Sequence, residues 1–395
     1  MRVRQGRLRE DILTNGKFGS IEGEGHGRTV LTGSEADRKA RERLVEVLEG
    51  LGMEVRIDAV GNIAGRWIAD SADPDAAPVA AGSHLDSVPQ GGIFDGPLGV
   101  YAAVEAVRAM QAAGAEPDRP IEVVSFTEEE GQRFGTGTLG SSAAVGKLSI
   151  EEALSLEDNS GTTLAEHLDR IGFRGDGTLD VATWDSWVEL HIEQSTTLET
   201  AGIPVGVVTA ISGIAVCEVD IIGEANHAGG THMDDRSDAL LAASEFVEDV
   251  NDIAHEIVET KSEFAAATVG NLEVEPNVRN VVPGRVVIRT DFRDTDLDVI
   301  NTIIDRAEQS LARIAKQHGL ETNLHHDRTA EPAHMSNRCL AAVRDAADRH
   351  DIETIELPSG GGHDSMNVAR VTDAGMLFAP SEAGISHSPR EWTDW

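Results

Sequence analysis

The stretch PVAAGSHLDSVPQGGIFDGPLGVYAAVEAVRAMQAA, residues 78–113, decides the fold. It opens on a short buried strand, Pro78–Gly82, and closes on an alanine-rich apolar helix, Leu98–Ala113. The glycine-rich loop between them carries His84, Asp86 and Asp95. On the N-terminal side, residues 34–51 (SEADRKARERLVEVLEGL) read as an amphipathic helix, capped by Ser34 and closed by Gly52. Strand-like alternation at Met53–Asp58 and a turn at Gly61-Asn62 follow. On the C-terminal side, IEVVSF (121–126) is a second buried strand and SWVELHIE (186–193) a third. Strands separated by helical patterns imply an α/β fold whose sheet is mostly parallel and covered on both faces.

Near Ala210-Ile211-Ser212-Gly213 the pattern changes. Residues 213–328 read as strand, helix, strand, strand, helix, strand, through IAVCEVDII, RSDALLAASEFVEDVNDIAHEIVE, FAAATVGNLEV, RVVIRTDF, LDVINTIIDRAEQSLARIAKQHG and ETNLHHD. That βαββαβ order is the split-βαβ, ferredoxin-like sandwich of a small independent domain. After residue 329 the helix–strand alternation resumes, with helix 336–349 and strand 375–379. Two domains are the default for 395 residues in any case. The expected division is a large domain of 1–212 and 329–395, with residues 213–328 inserted into it.

Composition narrows the partners. The chain has 69 acidic residues against 33 basic ones, a formal net charge of −36. Such a field repels nucleic acid and anionic lipid, so neither is an expected partner. The acids are scattered rather than blocked into a tail, and Lys17, Lys39, Lys147, Lys261 and Lys316 are the only lysines. Both features fit a chain adapted to high salt, which screens the self-repulsion. No run of about 18 apolar residues spans a membrane. The opening MRVRQGRLREDILTNG has no apolar signal-peptide core. Cys217 and Cys339 lie far apart and make no disulfide framework, so a reducing cytoplasm is the expected compartment.

Each buried strand of the large domain runs into polar residues. The first supplies His84, Asp86 and Asp95; the second, through TEEEGQRFG, supplies Glu128, Glu129 and Glu130. The third carries His191 and Glu193 in LHIEQ, and a loop after MLFAP holds His387 in GISHSPRE. Taken singly, a histidine is more often an ordinary surface or core residue, and a run of glutamates a solvated patch. Loops beyond the carboxyl ends of parallel strands, however, converge on one crevice. His84, Asp95, Glu130, His191 and His387 gathered there have the ligand types of a zinc-like site. Five ligands exceed the three that one open catalytic zinc needs. With Asp95 bridging, one ion takes His84, Asp95 and His191, and the other takes Asp95, Glu130 and His387. Such pairs stand about 3.5–4 Å apart and clamp a hydroxide between them. Glu129 is then free to act as general base, and Asp86 can take the other N–H of His84.

At these residues the chain resembles the N-carbamoyl-L-amino acid hydrolase / allantoate amidohydrolase / β-ureidopropionase family, within the di-metal aminoacylase and carboxypeptidase superfamily. The resemblance runs nearly end to end: VRIDAVGNIAGR (55–66), GSHLDSVPQGGIFDGPLGV (82–100), EEEGQRFG (128–135), LHIEQ (190–194), ANHAGGTHMDDRSDA (225–239), NVVPGRVVIRTDFR (280–293), SGGGHDSM (359–366) and GISHSPRE (384–391). It implies the metal and base roles above, with two divalent ions: zinc foremost, or manganese, cobalt or nickel. It also implies that Arg293 pairs its fork with a substrate carboxylate. Gln194, Asn280 and His227 would hydrogen-bond the carboxylate or ureido group, His227 serving the oxyanion, and the backbone at Gly361 and Gly362 would line the pocket. The inserted domain would act as a lid and form a homodimer, with His227 arriving from either subunit. Relatives usually carry Thr-Pro where this chain has Thr231-His232.

The resemblance implies hydrolysis of an N-carbamoyl-L-amino acid to the amino acid, carbon dioxide and ammonia. Turnover of allantoate, ureidoglycolate or β-ureidopropionate shares that chemistry; a deacylase or dipeptidase fits LHIEQ less well. A non-catalytic scaffold would have lost a ligand or the base, and none is lost. A nucleotide site has no Walker lysine, and Gly23-x-Gly25-x-Gly27 reads as a loop. The acidic excess makes one prediction of its own. Raising KCl from about 0.1 M to about 1 M shortens the Debye length from about 10 Å to about 3 Å and should raise the melting temperature. A melting temperature indifferent to salt would contradict high-salt adaptation.

Overall fold

Parallel strands at the centre of the larger sheet place its polar loops at one end. The structure, a computed structural model, describes residues 1–395 apart from the side chain of Arg328. Its strands are β1 (Glu54–Ile57), β2 (Ile63–Trp67), β3 (Val79–His84), β4 (Ile121–Phe126), β5 (Ser186–Ile192), β6 (Val205–Ile211), β7 (Gly213–Ile222), β8 (Asn226–His227), β9 (Ala266–Glu275), β10 (Val281–Val282), β11 (Arg285–Asp294), β12 (Glu321–Ala330), β13 (Ala333–His334), β14 (Thr354–Ser359) and β15 (Asp373–Ala379). The larger sheet has the order β1-β2-β4-β3-β5-β15-β6-β13, with β14 joined to β6. The pairs β4–β3, β3–β5 and β5–β15 are parallel. The margins are not: β1–β2, β2–β4 and β15–β6 run antiparallel. The expected parallel sheet is therefore found at the centre, where strands are buried on both faces.

Local chemistry fixes the flanking helices. The helix Glu35–Gly50 begins where Ser34 accepts the amide of Asp37, and Gly52 follows it with φ of 71°. Within it Arg41 and Asp37 form a buried ion pair at 2.7 Å. Arg41 also donates to the carbonyl of Gly61 at 2.6 Å and to Thr127 Oγ1 at 3.2 Å, which anchors the chain just before Glu128. The helix Pro97–Ala112 matches the expected apolar helix. An additional helix, Gln5–Asn15, was not apparent in the sequence. An apolar edge and ion pairs together hold it: Ile12 is fully buried in the core with Leu8 and Leu13 packed against it, Arg7 pairs with buried Glu105 at 2.6 Å, and Arg108 pairs with Asp11.

Contacts divide the chain into two compact units, Met1–Thr209 with His334–Trp395, and Ala210–Ala333. The expected cuts after residues 212 and 328 fall close by. The second unit has an antiparallel sheet in the order β12-β7-β11-β9. Its helices, Ala239–Thr260 and Leu297–His318, are capped by Asp238 and Asp296. Burial alternates strictly along β7, so Ala215, Cys217, Val219 and Ile221 join Val286, Ile288 and Phe292 of β11 in one core. Among the described residues, no helix is long and apolar enough to cross a membrane.

Candidate metal centre

Four strands of the first unit carry or lead into the residues expected as ligands. His84 closes β3, Glu128–Glu130 follow β4, His191 lies near the end of β5, and His387 follows β15. Two sets of side chains offer ligand atoms within 4.8 Å of one another: His84, Asp95 and His191; and Asp95, Glu130 and His387. The two oxygens of Asp95 face different sets. Oδ1 lies 3.4 Å from His84 Nε2 and 3.2 Å from His191 Nε2. Oδ2 lies 3.2 Å from His387 Nε2, which is 3.5 Å from Glu130 Oε2.

The donor set suits divalent cations. His84 Nε2 is buried and has no hydrogen-bond partner among the described residues, and an ion would supply one. His84 is seated tightly because Gly96, at φ of 81°, leaves space that a Cβ would fill 2.6 Å from the imidazole ring. His191 Nδ1 donates to the carbonyl of Ile192 at 3.0 Å when protonated there, turning Nε2 toward Asp95. Imidazole nitrogens and carboxylate oxygens, three to a set, match zinc and its first-row neighbours.

Around this cluster the structure refines two expectations. His84 Nδ1 is closer to the backbone carbonyl of Asp86, at 3.2 Å, than to its carboxylate, at 3.5 Å. The Asp86 carboxylate instead accepts the amides of Glu129 at 3.3 Å and Glu130 at 3.1 Å, so it orders that loop. Gln194 donates to Asp95 Oδ2 at 3.0 Å and to Ser386 Oγ at 2.9 Å, and so lies against the ligands themselves. Gly361 is its neighbour, with room for a Cβ 3.5 Å from Gln194 Oε1, and Gly362 follows beside Met366. Glu129 lies with its Oε2 3.6 Å from His84 Nε2 and belongs to neither ligand set. Glu128, Gln194 and His387 all have φ between 53° and 60°, left-handed backbone that non-glycine residues rarely adopt.

His227, Asn280 and Arg293 are in the second unit. His227 on β8 pairs with Val281 on β10, and the carbonyl of Asn280 accepts the amide of Ala228 at 3.0 Å. Arg293 on β11 pairs through Nε and Nη2 with the carboxylate of Asp291, at 2.6 and 2.9 Å. The sequence did not single out Glu391, Ser386, Arg28, His363 or Asp364. Glu391 and Ser386 lay within the quoted GISHSPRE, whereas Arg28 carries no local pattern that would reveal it. The ring of His363 packs 4.4 Å from that of His191. The glycine cluster at residues 23–27 is a loop.

Protons and divalent cations compete for this site. Burial, with Asp95 nearby, pushes the Glu130 carboxyl up to about 7. Burial likewise holds Glu129 well above the usual carboxylate range, although His84 opposes it. Hydrogen bonding to Asp95 raises His387 to about 9. Burial disfavours charge on His84, but Glu129, Asp86 and Asp95 outweigh it and hold the ring well above 6.5. Asp95 moves the other way: against its burial, His191, His387 and His84 hold it well below 3.8.

The sign of the linkage follows. From 4.5 up to about 7 for Glu130, and from 6.5 up to about 9 for His387, the folded state binds more protons than the unfolded one. Stability of chelated protein should therefore fall as pH rises from about 5 to about 9. The Asp95 shift has the opposite sign but acts only below 3.8. Divalent ions replace the protons, so saturating zinc should flatten the decline, and ion uptake should release protons. Melting curves with chelator and with zinc check this; two profiles of equal slope would contradict it.

Comparison with known proteins agrees with this geometry. A profile of Peptidase family M20/M25/M40 matches residues 80–395. The chain is 38% identical over 394 residues to the N-carbamoyl-L-amino-acid amidohydrolase of Paenarthrobacter aurescens, covering 98% of this chain and 93% of that protein. It is 36% identical over 352 residues to the allantoate amidohydrolase of Bacillus subtilis (strain 168), covering 88% of this chain and 83% of that one. Among solved structures, a hydantoinase/carbamoylase family amidase from Burkholderia multivorans matches with a TM-score of 0.93 at 38% identity, covering 100% of this chain and 94% of that one. With ligand-type side chains at the strand ends and relatives over nearly its whole length, the chain belongs to Peptidase family M20/M25/M40, among its hydantoinase/carbamoylase amidohydrolases.

Proposed function

We propose that the chain hydrolyses the ureido C–N bond of an N-carbamoyl-L-amino acid, giving the amino acid, carbon dioxide and ammonia. The observation that carries this reading is the division of labour around Asp95. Its two oxygens serve two ligand sets, and Glu129 stands beside them as a member of neither. His84, Asp95 and His191 would hold one divalent cation, and Asp95, Glu130 and His387 a second, with zinc, manganese, cobalt or nickel suited to the donors. When bound, such a pair supplies Lewis acidity that polarises a carbonyl and acidifies water.

The remaining work falls to the side chains. Glu129 takes the proton of the attacking water and later delivers it to the leaving nitrogen, a shuttle suited to a carboxyl whose burial raises its hold on protons. His227 Nδ1 accepts the amides of Gly229 at 3.0 Å and Gly230 at 2.9 Å. The ring proton therefore resides on Nε2 in the neutral form, which equips His227 to donate to a developing oxyanion. Arg293 offers a guanidinium to the substrate carboxylate, with Asp291 aligning its Nε–Nη2 edge. Gln194, Asn280 and the backbone at Gly361 and Gly362 complete the substrate contacts. The same proposal gives the second unit its lid role and makes the chain a homodimer.

A second reading, allantoate as substrate, is favoured by the similarity to the Bacillus subtilis enzyme. Both substrates join a ureido group to a carbon bearing a carboxylate, so the same side chains serve either. Turnover of N-carbamoyl-L-amino acids, allantoate and β-ureidopropionate, assayed in high salt, ranks them. The base is tested by Glu129→Gln: both equivalents of metal should remain while kcat falls by about 10³-fold or more, the upper part of the range for losing a general acid–base. Unchanged turnover would remove Glu129 from the reaction.

A further inference from the structure

The two ligand sets are not held alike. His84 and His191 sit in strands, with side chains 0% and 2% exposed. His387 is half exposed on a loop, and its φ of 53° lies in the left-handed region. That conformation costs on the order of 1 kcal/mol for a residue with a side chain and persists only where its surroundings impose it.

Glu391 is placed to impose it. This carboxylate is 1% exposed and lies outside both ligand sets. Its Oε1 accepts the amides of Phe94 at 2.9 Å and Asp95 at 3.0 Å. Its Oε2 accepts from the hydroxyl of Ser386 at 3.2 Å, and that hydroxyl also lies 3.0 Å from Asp95 Oδ2. Gly92 makes the room: a Cβ there would stand 2.1 Å from Glu391 Oε1. Arg28, fully buried, secures the other side of the loop, donating to the carbonyls of Gly92 at 2.9 Å, Asp86 at 3.3 Å and Asp95 at 3.4 Å. One carboxylate thus grips both the backbone of Asp95 and the residue next to His387.

We propose that Glu391 is a positioning residue that ties the His387 loop to Asp95 and so assembles the second ligand set, touching neither substrate nor ion. The proposal rests on the two-ion reading above. It predicts an asymmetry: losing the tether loosens the set containing His387 and spares the set built on strands. Glu391→Gln is the conservative variant: its amide oxygen still accepts the Phe94 and Asp95 amides, while its NH₂ can only donate to the Ser386 hydroxyl, so the charge-assisted bond of the tether is lost.

The test is a Co²⁺ titration of chelator-treated full-length protein, followed by visible absorption and by elemental analysis, with folding checked by circular dichroism. Wild type should take two equivalents. Glu391→Gln should take the first as wild type does and the second at least tenfold more weakly. Ser386→Ala, which removes only a hydroxyl, should shift the second equivalent in the same direction and carries the test if Glu391→Gln does not fold. Two equivalents bound with wild-type affinity in the folded variants would overturn the role of Glu391, as would equal weakening of both. A wild type that never takes a second ion would instead overturn the two-ion reading, and this proposal with it.

Discussion

A single carboxylate, Asp95, stands between two sets of side chains, His84 with His191 and Glu130 with His387, and the charge balance of the whole site depends on it. Removing an ionised carboxylate from water costs several kcal/mol unless partners replace the solvent. Here Asp86, Glu128, Glu189 and Glu391 are buried as well as Asp95. Arg28 is fully buried on the neighbouring backbone, and its positive charge offsets part of the negative charge of these carboxylates. The histidines supply the rest while protonated. That arrangement accounts for the upward shifts of His84 and His387 and for the downward shift of Asp95. Under the two-ion proposal, a pair of divalent cations would satisfy the same electrostatic demand without protons.

Much of this was legible in the sequence because parallel strands impose an address. A buried strand end followed by a polar loop puts its first residues into the crevice, so His84, the Glu128–Glu130 loop and His191 could be grouped from order alone. Alternation and one cap were equally plain: Ser34 starts its helix, and β7 alternates without a break. The helix Gln5–Asn15 escaped because it offers just three apolar residues, Leu8, Ile12 and Leu13, and the ion-pair partners that also hold it, Glu105 and Arg108, are distant in sequence. The strand β6 escaped because it joins the sheet antiparallel at a margin, and the helix before it, Thr197–Ala201, is too short to serve as a marker. Glu391 and Arg28 escaped for a different reason. Their partners, Phe94, Asp95 and Gly92 among them, are distant in sequence, and a buried charge shows itself only when its neighbours are known.

The two units divide the chemistry by residue type. The first carries the carboxylates and imidazoles that suit metal ions, with Gln194 packed against Asp95 rather than standing apart. The second carries His227, whose tautomer is fixed by two backbone amides, and Arg293, aligned by Asp291. Under the proposed function, acid–base and Lewis-acid roles would fall to the strand ends of the first unit, and recognition roles to His227 and Arg293 of the second.

The sharing of Asp95 is best tested by a crystal structure of protein loaded with zinc, with anomalous scattering to locate the ions. Two peaks should appear, one within about 2.0–2.2 Å of each Asp95 oxygen, the range for zinc–carboxylate bonds. A lone peak, or a pair of which only one touches Asp95, would contradict the account.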